Sequence, residues 1–167
     1  MGLIVNAEIV NKFFGSTATV LRDYFHLDVS SGGSASLVKM PAALDHVSVI
    51  LSFTGDLTGQ FVMGFSSEMA LNMARTMIGN AEYERFDELC QSAIGELGNM
   101  ICGMTSAELT TMGYTCDIAP PVVLVNEHAS MSFGVPTLIA QPISTPNGAF
   151  RICIGMSPSK KRVPVAN

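Results

Sequence analysis

Residues 86–106, FDELCQSAIGELGNMICGMTS, constrain the fold more than any other stretch, because their apolar positions keep the helical period throughout. Phe86, Leu89, Cys90, Ala93, Ile94, Leu97, Met100, Ile101 and Met104 recur at helical spacing and predict one buried stripe. The opposite strip carries Glu88, Ser92, Gly95, Glu96, Asn99, Gly103 and Ser106 within about a third of the circumference, at roughly 100° per residue. A solvated face is normally filled with long polar helix formers. Here Gly95, Gly98 and Gly103 each cost about 0.8–1 kcal/mol against alanine in a helix interior. Bare Cα atoms admit another backbone, so the strip is expected to be a shallow docking groove, with Glu96 and Asn99 standing out of it at i,i+3.

The remainder reads as scaffold for that pair. A chain of 167 residues suits a single domain with a core that needs no staples. Cys90, Cys102, Cys116 and Cys153 show no C-x-x-C spacing, which favours buried thiols and a reducing compartment over bridges or metal ligands. The opening MGLIVNAEIVNKFF has no basic stretch followed by a long apolar run, and no apolar run is long enough to span a bilayer, so a cytoplasmic protein without a membrane partner is expected. A net charge of −5 with no basic patch argues against nucleic acid. The one basic cluster, Lys160-Lys161-Arg162, falls in a segment, 158–167, expected to be a disordered tail.

Taken in order, the sequence predicts a first helix over 6–25, capped by Asn6, with Ile9, Val10, Phe13, Thr17, Val20, Leu21 and Tyr24 inward. Its outward strip echoes the later one: Glu8 and Asn11 stand 88 positions before Glu96 and Asn99, and Gly15 and Thr17 stand the same distance before Gly103 and Thr105. Extended sequence follows each helix and ends in a hairpin. Thr54-Gly55-Asp56 and Thr145-Pro146-Asn147-Gly148 supply the turns, and Gly59 and Phe61 overlie Gly148 and Phe150. The repetition predicts an internally duplicated α+β domain over 1–157, with halves of about 1–80 and 81–157, pseudo-two-fold symmetry and long helices packed on an antiparallel β-sheet. Residues 66–79 predict a third helix with Ser66 as its cap and Gly79 as its stop. Residues 114–119 read as a strand, and Pro120-Pro121 interrupts it before 122–125, implying an edge or a bend.

Few chemistries are encoded locally. His26, His46 and His128 are scattered without ligand spacing, and no metal site is expected. Nucleophile elbow, phosphate loop and dinucleotide fingerprint are all missing. E-x-x-N alone is common on solvated helices; its neighbouring glycines and the echo at Glu8 and Asn11 single it out without naming a reaction.

The run LCQSAIGELGNMICGM resembles the signature helix of the CheC, CheX and FliY family of chemotaxis phosphatases, in which Ser or Asp is followed by Glu, Asn and, some twenty residues later, Pro. Here those positions are Ser92, Glu96, Asn99 and Pro121. The likeness extends through TGDLTGQFVMGFSSEMAL, DIAPPVV and FGV, and is nearest to the CheX branch. It implies a CheC-like fold and hydrolysis of the aspartyl phosphate on a CheY-type response regulator. Asn99 would orient the attacking water and Glu96 would pair with the regulator's lysine, while Ser92, Gly95 and Gly103 admit its loops. No cofactor of the chain's own is implied, Mg²⁺ being held by the phosphorylated regulator, and a homodimer joined along strand edges is expected. Ile4 stands where the earlier helix would need Ser or Asp, and Gly33 where it would need Pro, so Glu8 and Asn11 are expected to be a degenerate second site. Two alternatives remain: a non-catalytic docking module, as in the similar middle domain of the flagellar switch protein, and a phosphatase for a receiver outside chemotaxis.

Overall fold

Three helical periods and two hairpin signals become three helices and ten strands among residues 7–159, the part of the chain that this computed structural model describes. In order they are α1 (Ala7–Phe25), β1 (Ser30–Ser31), β2 (Ser36–Lys39), β3 (Ala42–Ala43), β4 (Val47–Gly55), β5 (Leu57–Phe65), α2 (Ser67–Ile78), α3 (Glu88–Thr111), β6 (Cys116–Ile118), β7 (Val122–Val125), β8 (Ser130–Met131), β9 (Thr137–Thr145) and β10 (Gly148–Pro158). Asn6, Ile4 and the cluster Lys160-Lys161-Arg162 lie outside the described residues. Pro158, where a tail was expected to begin, closes β10.

The apolar strands β4–β5 and β9–β10 form the two expected hairpins, and they join through antiparallel β5 and β10, with Met63 opposite Ile152. Strand order is β1-β9-β10-β5-β4-β6, with β2 also on β9 and β7 also on β4. Both edges are thus composite. On one, Phe53–Gly55 of β4 pairs with β6 and Val47–Ile50 pairs with β7. Pro120 and Pro121 occupy the break, because a residue without an N–H cannot continue the ladder.

All three helices contribute to the larger core on one face of the sheet. Phe13 of α1 stacks on Phe61 at 5.1 Å and meets Phe53 edge-on at 5.6 Å, tying the first helix to the first hairpin. Phe61 and Phe150, overlaid in the repeat, both enter this core. The other face carries a smaller cluster around Ile50, Val62, Leu138 and Cys153. α1 and α3 pack together, and Lys12 Nζ reaches Glu108 Oε2 at 2.8 Å between them.

Local chemistry sets the helix ends. Ser66 Oγ accepts from Met69 N at 3.1 Å to cap α2, and Gly79 ends it at φ 75°. α1 stops where His26 turns left-handed at φ 55°, His26 N donates to Arg22 O at 3.1 Å and Leu27 N reaches back to Leu21 O at 3.0 Å. That closure corrects one inward assignment: Leu27 folds back into the core, and Tyr24 is left 61% exposed.

Candidate functional site

The helix bearing the glycines begins at Glu88, two residues later than the apolar period suggested, because Asp87 caps it. Asp87 Oδ1 accepts from Cys90 N at 3.2 Å, and Tyr83 Oη donates to Asp87 Oδ2 at 2.7 Å. The Tyr83 hydroxyl, followed by the Cys90 N–H, holds the Asp87 carboxyl below the usual aspartate range. At the other end the helix continues past Ser106 to Thr111, and left-handed Gly113 at φ 88° follows.

Burial on α3 spreads further round than a single stripe. It packs against α1, α2, β4, β6 and β7, and Gly95, Gly98, Cys102 and Thr105 are buried with the apolar residues. The three glycines therefore serve different ends. A Cβ on Gly98 would lie 2.7 Å from Leu51 Cδ1 and 3.2 Å from Val49 Cγ1, so this glycine lets α3 settle on β4. A Cβ on Gly95 would lie 3.5 Å from Pro121 Cγ and 3.6 Å from Val123 Cγ2. The close approach expected of Gly95 is thus made by its own chain. Only Gly103 is bare toward open space, with nothing within 4 Å of its Cβ position. Two further residues depart from expectation: Leu89 is 52% exposed, and Ser106 is half-buried with its hydroxyl donating to Cys116 O at 3.1 Å.

Ser92 and Glu96 are exposed and Asn99 half-exposed, one helical turn apart on the open side of α3. Asn99 Nδ2 donates to Glu96 Oε2 at 3.5 Å, the long limit of such a bond. That orientation turns the amide nitrogen toward the carboxylate and leaves Asn99 Oδ1 free to accept. Pro121, placed in the break between β6 and β7, braces the backbone at Gly95, immediately before Glu96. A carboxylate and an amide presented together offer hydrogen-bond acceptors and a donor side by side. They suit the completion of a site in another molecule.

The earlier pair is set differently. Glu8 and Asn11 are exposed on α1, but Lys12, to which the sequence reading gave no role, stands next to Asn11 and bridges to Glu108. Its ammonium is held above the usual lysine range by the bond and charge of Glu108, with Glu8 adding to the effect. A groove of about 280 Å³ separates α1 from α3 there, lined in part by Asn11, Lys12 and Glu108. The overlay that pairs Asn11 with Asn99 sets Lys12 against Met100, a change legible in the sequence had each neighbour of the pair been compared.

Cys90, Cys102, Cys116 and Cys153 are free and buried, and burial raises the Cys102 thiol and pushes the Cys153 thiol up to about 11. Among the described residues no group of three or more His, Cys, Asp or Glu is placed to hold a metal ion, and no helix is long and apolar enough to cross a membrane.

Comparison with known proteins gives a family match over residues 47–142, described as chemotaxis phosphatase CheX. The CheY-P phosphatase CheX of Thermotoga maritima is 36% identical over 143 residues, covering 84% of this chain and 89% of that protein. The crystal structure of a chemotaxis protein CheX from Desulfovibrio desulfuricans superposes with a TM-score of 0.79 at 27% identity, over 90% of this chain and 99% of the other. A CheX from Borrelia burgdorferi, crystallised with CheY, BeF₃ and Mg²⁺, shares the fold with a TM-score of 0.70 at 23% identity, covering 90% and 99% of the two chains.

Proposed function

The chain belongs to the chemotaxis phosphatase CheX family, and on that premise we propose that it hydrolyses the aspartyl phosphate of a CheY-type response regulator by inserting Asn99 and Glu96 into the regulator's own site. An acyl phosphate is already activated. Its hydrolysis needs a water held in line with phosphorus and stabilisation of the charge on the equatorial oxygens, so an amide is sufficient where no general base is required. Asn99 Oδ1 accepts from that water, with its Nδ2 turned toward Glu96. Glu96 meets the regulator's lysine with its other oxygen and sets the register of the two proteins. Ser92 and Gly103 leave room for the regulator's loops. Mg²⁺ belongs to the regulator; the Borrelia complex contains it together with CheY.

The observation that carries this reading is the Glu96–Asn99 pair, 3.5 Å apart on α3, with Glu96 exposed and Asn99 half-exposed. Glu8 and Asn11 contribute little. The Lys12 ammonium already lies in the field of Glu8 and would repel the lysine that an active pair must receive. The two halves share one sheet and act as a single unit, placed in the cytoplasm by its regulator. A homodimer joins along a sheet edge, where Leu37 on one side and Val122 and Val125 on the other are exposed.

The test follows decay of phosphorylated receiver domains alone, with the protein, and with Asn99→Ala or Glu96→Ala. Wild-type protein accelerates decay. Asn99→Ala removes about a hundred-fold or more of that acceleration and leaves binding largely intact, while Glu96→Ala weakens both. Equal decay with wild type and Asn99→Ala, for receivers that do bind, would leave a docking module instead.

A further inference from the structure

A single exposed leucine is ordinary on a protein surface, and Leu89 would need no comment but for where it stands. It lies in the first turn of α3, and it is the one large apolar side chain of that helix exposed to solvent among the described residues. Leu89, Glu96 and Gly103 are spaced seven apart, so they align on one face with a drift of only about 20° per seven residues. The face that presents the Glu96–Asn99 pair therefore presents Leu89 as well.

Distance decides whether a partner reaches it. At 1.5 Å per residue, the Cα of Leu89 stands about 10 Å from that of Glu96 along the axis. A standard interface buries roughly 800 Å² on each side, equivalent to a disc about 16 Å in radius. A protein seated on Glu96 and Asn99 thus covers Leu89. Charged and polar groups at such a contact mainly set register and encounter rate, whereas affinity concentrates in a few well-packed side chains, most often aromatic or arginine, that lose their water on docking. Ser92 and Gly103 offer little apolar area, and among the described residues Leu89 is the large apolar side chain of α3 most exposed to supply it. Its backbone is fixed beforehand by the Asp87 cap at 3.2 Å and the Tyr83 bond behind it at 2.7 Å, so little order is lost on binding.

Resting on the phosphatase reading above, we infer that Leu89 is the anchor that the receiver domain of the phosphorylated regulator buries on docking. It sets affinity and partner choice without touching the phosphoryl group. The complementary receiver offers an apolar pocket about two helical turns from its phosphorylation site; a receiver with a charge there is rejected, because Leu89 cannot solvate it.

The experiment titrates CheY held with beryllofluoride and Mg²⁺ into wild type, Leu89→Ala, Leu89→Asp and Leu89→Met, and measures kcat and KM on phosphorylated CheY. Leu89→Ala raises both Kd and KM about ten-fold with kcat within about two-fold of wild type, Leu89→Asp raises them further, and Leu89→Met restores them to within about three-fold. Melting temperatures stay together, since the side chain is exposed. Wild-type Kd and KM in both the Ala and Asp variants would overturn the anchor and leave the phosphatase standing. Leu89-dependent binding without accelerated decay would keep the anchor and remove the phosphatase; neither binding nor acceleration would overturn both.

Discussion

Replacing Gly103 by alanine separates what α3 requires for folding from what its partner requires for docking. Nothing in the chain comes within 4 Å of a Cβ built there. The added methyl therefore recovers helix propensity, about 0.8–1 kcal/mol, without a clash in the free protein. For a domain of this size that corresponds to a melting temperature higher by roughly 2–4 °C. The same methyl lies one turn from Asn99, about 6 Å along the axis, on the face proposed above for the regulator. Inserting it where two backbones meet costs about 1–3 kcal/mol of overpacking, or roughly a five- to 150-fold rise in KM. Gly15, 88 positions earlier, supplies a matched control, because its Cβ position is equally open. Gly15→Ala should stabilise α1 by a similar amount and leave KM alone. Thermal melts and initial rates of receiver dephosphorylation read both effects. A Gly103→Ala protein that is more stable and has an unchanged KM would show that no partner approaches there. One that is less stable would show that the face is not open in the free chain.

Three further outcomes follow from the same geometry. Gly98→Ala drives a methyl toward buried Leu51 and Val49, so the overpacking of about 1–3 kcal/mol outweighs the propensity gain of about 1 kcal/mol; calorimetry should give a lower melting temperature, and the rate assay a lower kcat as α3 lifts from β4. The double substitution Glu8→Ala with Asn11→Ala should keep most of the phosphatase activity, and a loss comparable to that of Asn99→Ala would place the working site on α1. Because the Asp87 carboxyl ionises more readily folded than unfolded, its cap stabilises fully above the ordinary aspartate range and fades as pH falls through its lowered folded value. Melts from neutral pH down to about pH 3 should show Asp87→Asn flattening part of that acid dependence, since asparagine caps without titrating.

Most of the fold was legible because it is written in periods. α2 follows its cap and stop signals closely, both hairpins turn where the glycine and asparagine residues stand, and the broken edge falls at Pro120-Pro121. The Glu96–Asn99 pair was legible for the same reason, as two polar residues a turn apart. What the period could not give was the second dimension of packing. α3 touches two helices and three strands, so its buried arc is wider than one stripe and takes in Gly95 and Gly98, which had looked like part of an open groove. Leu89 failed in the opposite direction: it stands at the border of the apolar stripe, only about 20° from Glu96, and the structure leaves it exposed with that face. Lys12 escaped notice because its partner, Glu108, is far along the chain, and no local pattern announces a bridge between helices.

The division of the glycines explains how a helix with so little intrinsic propensity can present side chains rigidly. Gly98 brings its backbone down onto Leu51 and Val49, and Gly95 lets Pro121 and Val123 close against the turn that carries Glu96. Those two contacts set the height and angle of α3 at the very turn where the pair stands, so the propensity lost there is offset by burial and returned as positional precision. An amide that only aims a water needs that precision more than an acid or a base would, since it has no proton affinity to compensate for a poor angle, and a displacement near 1 Å can cost about a hundred-fold. Gly103 receives no such contact from its own chain. Its cost to the helix is unreturned in the free protein, and on this reasoning only a docked partner can return it.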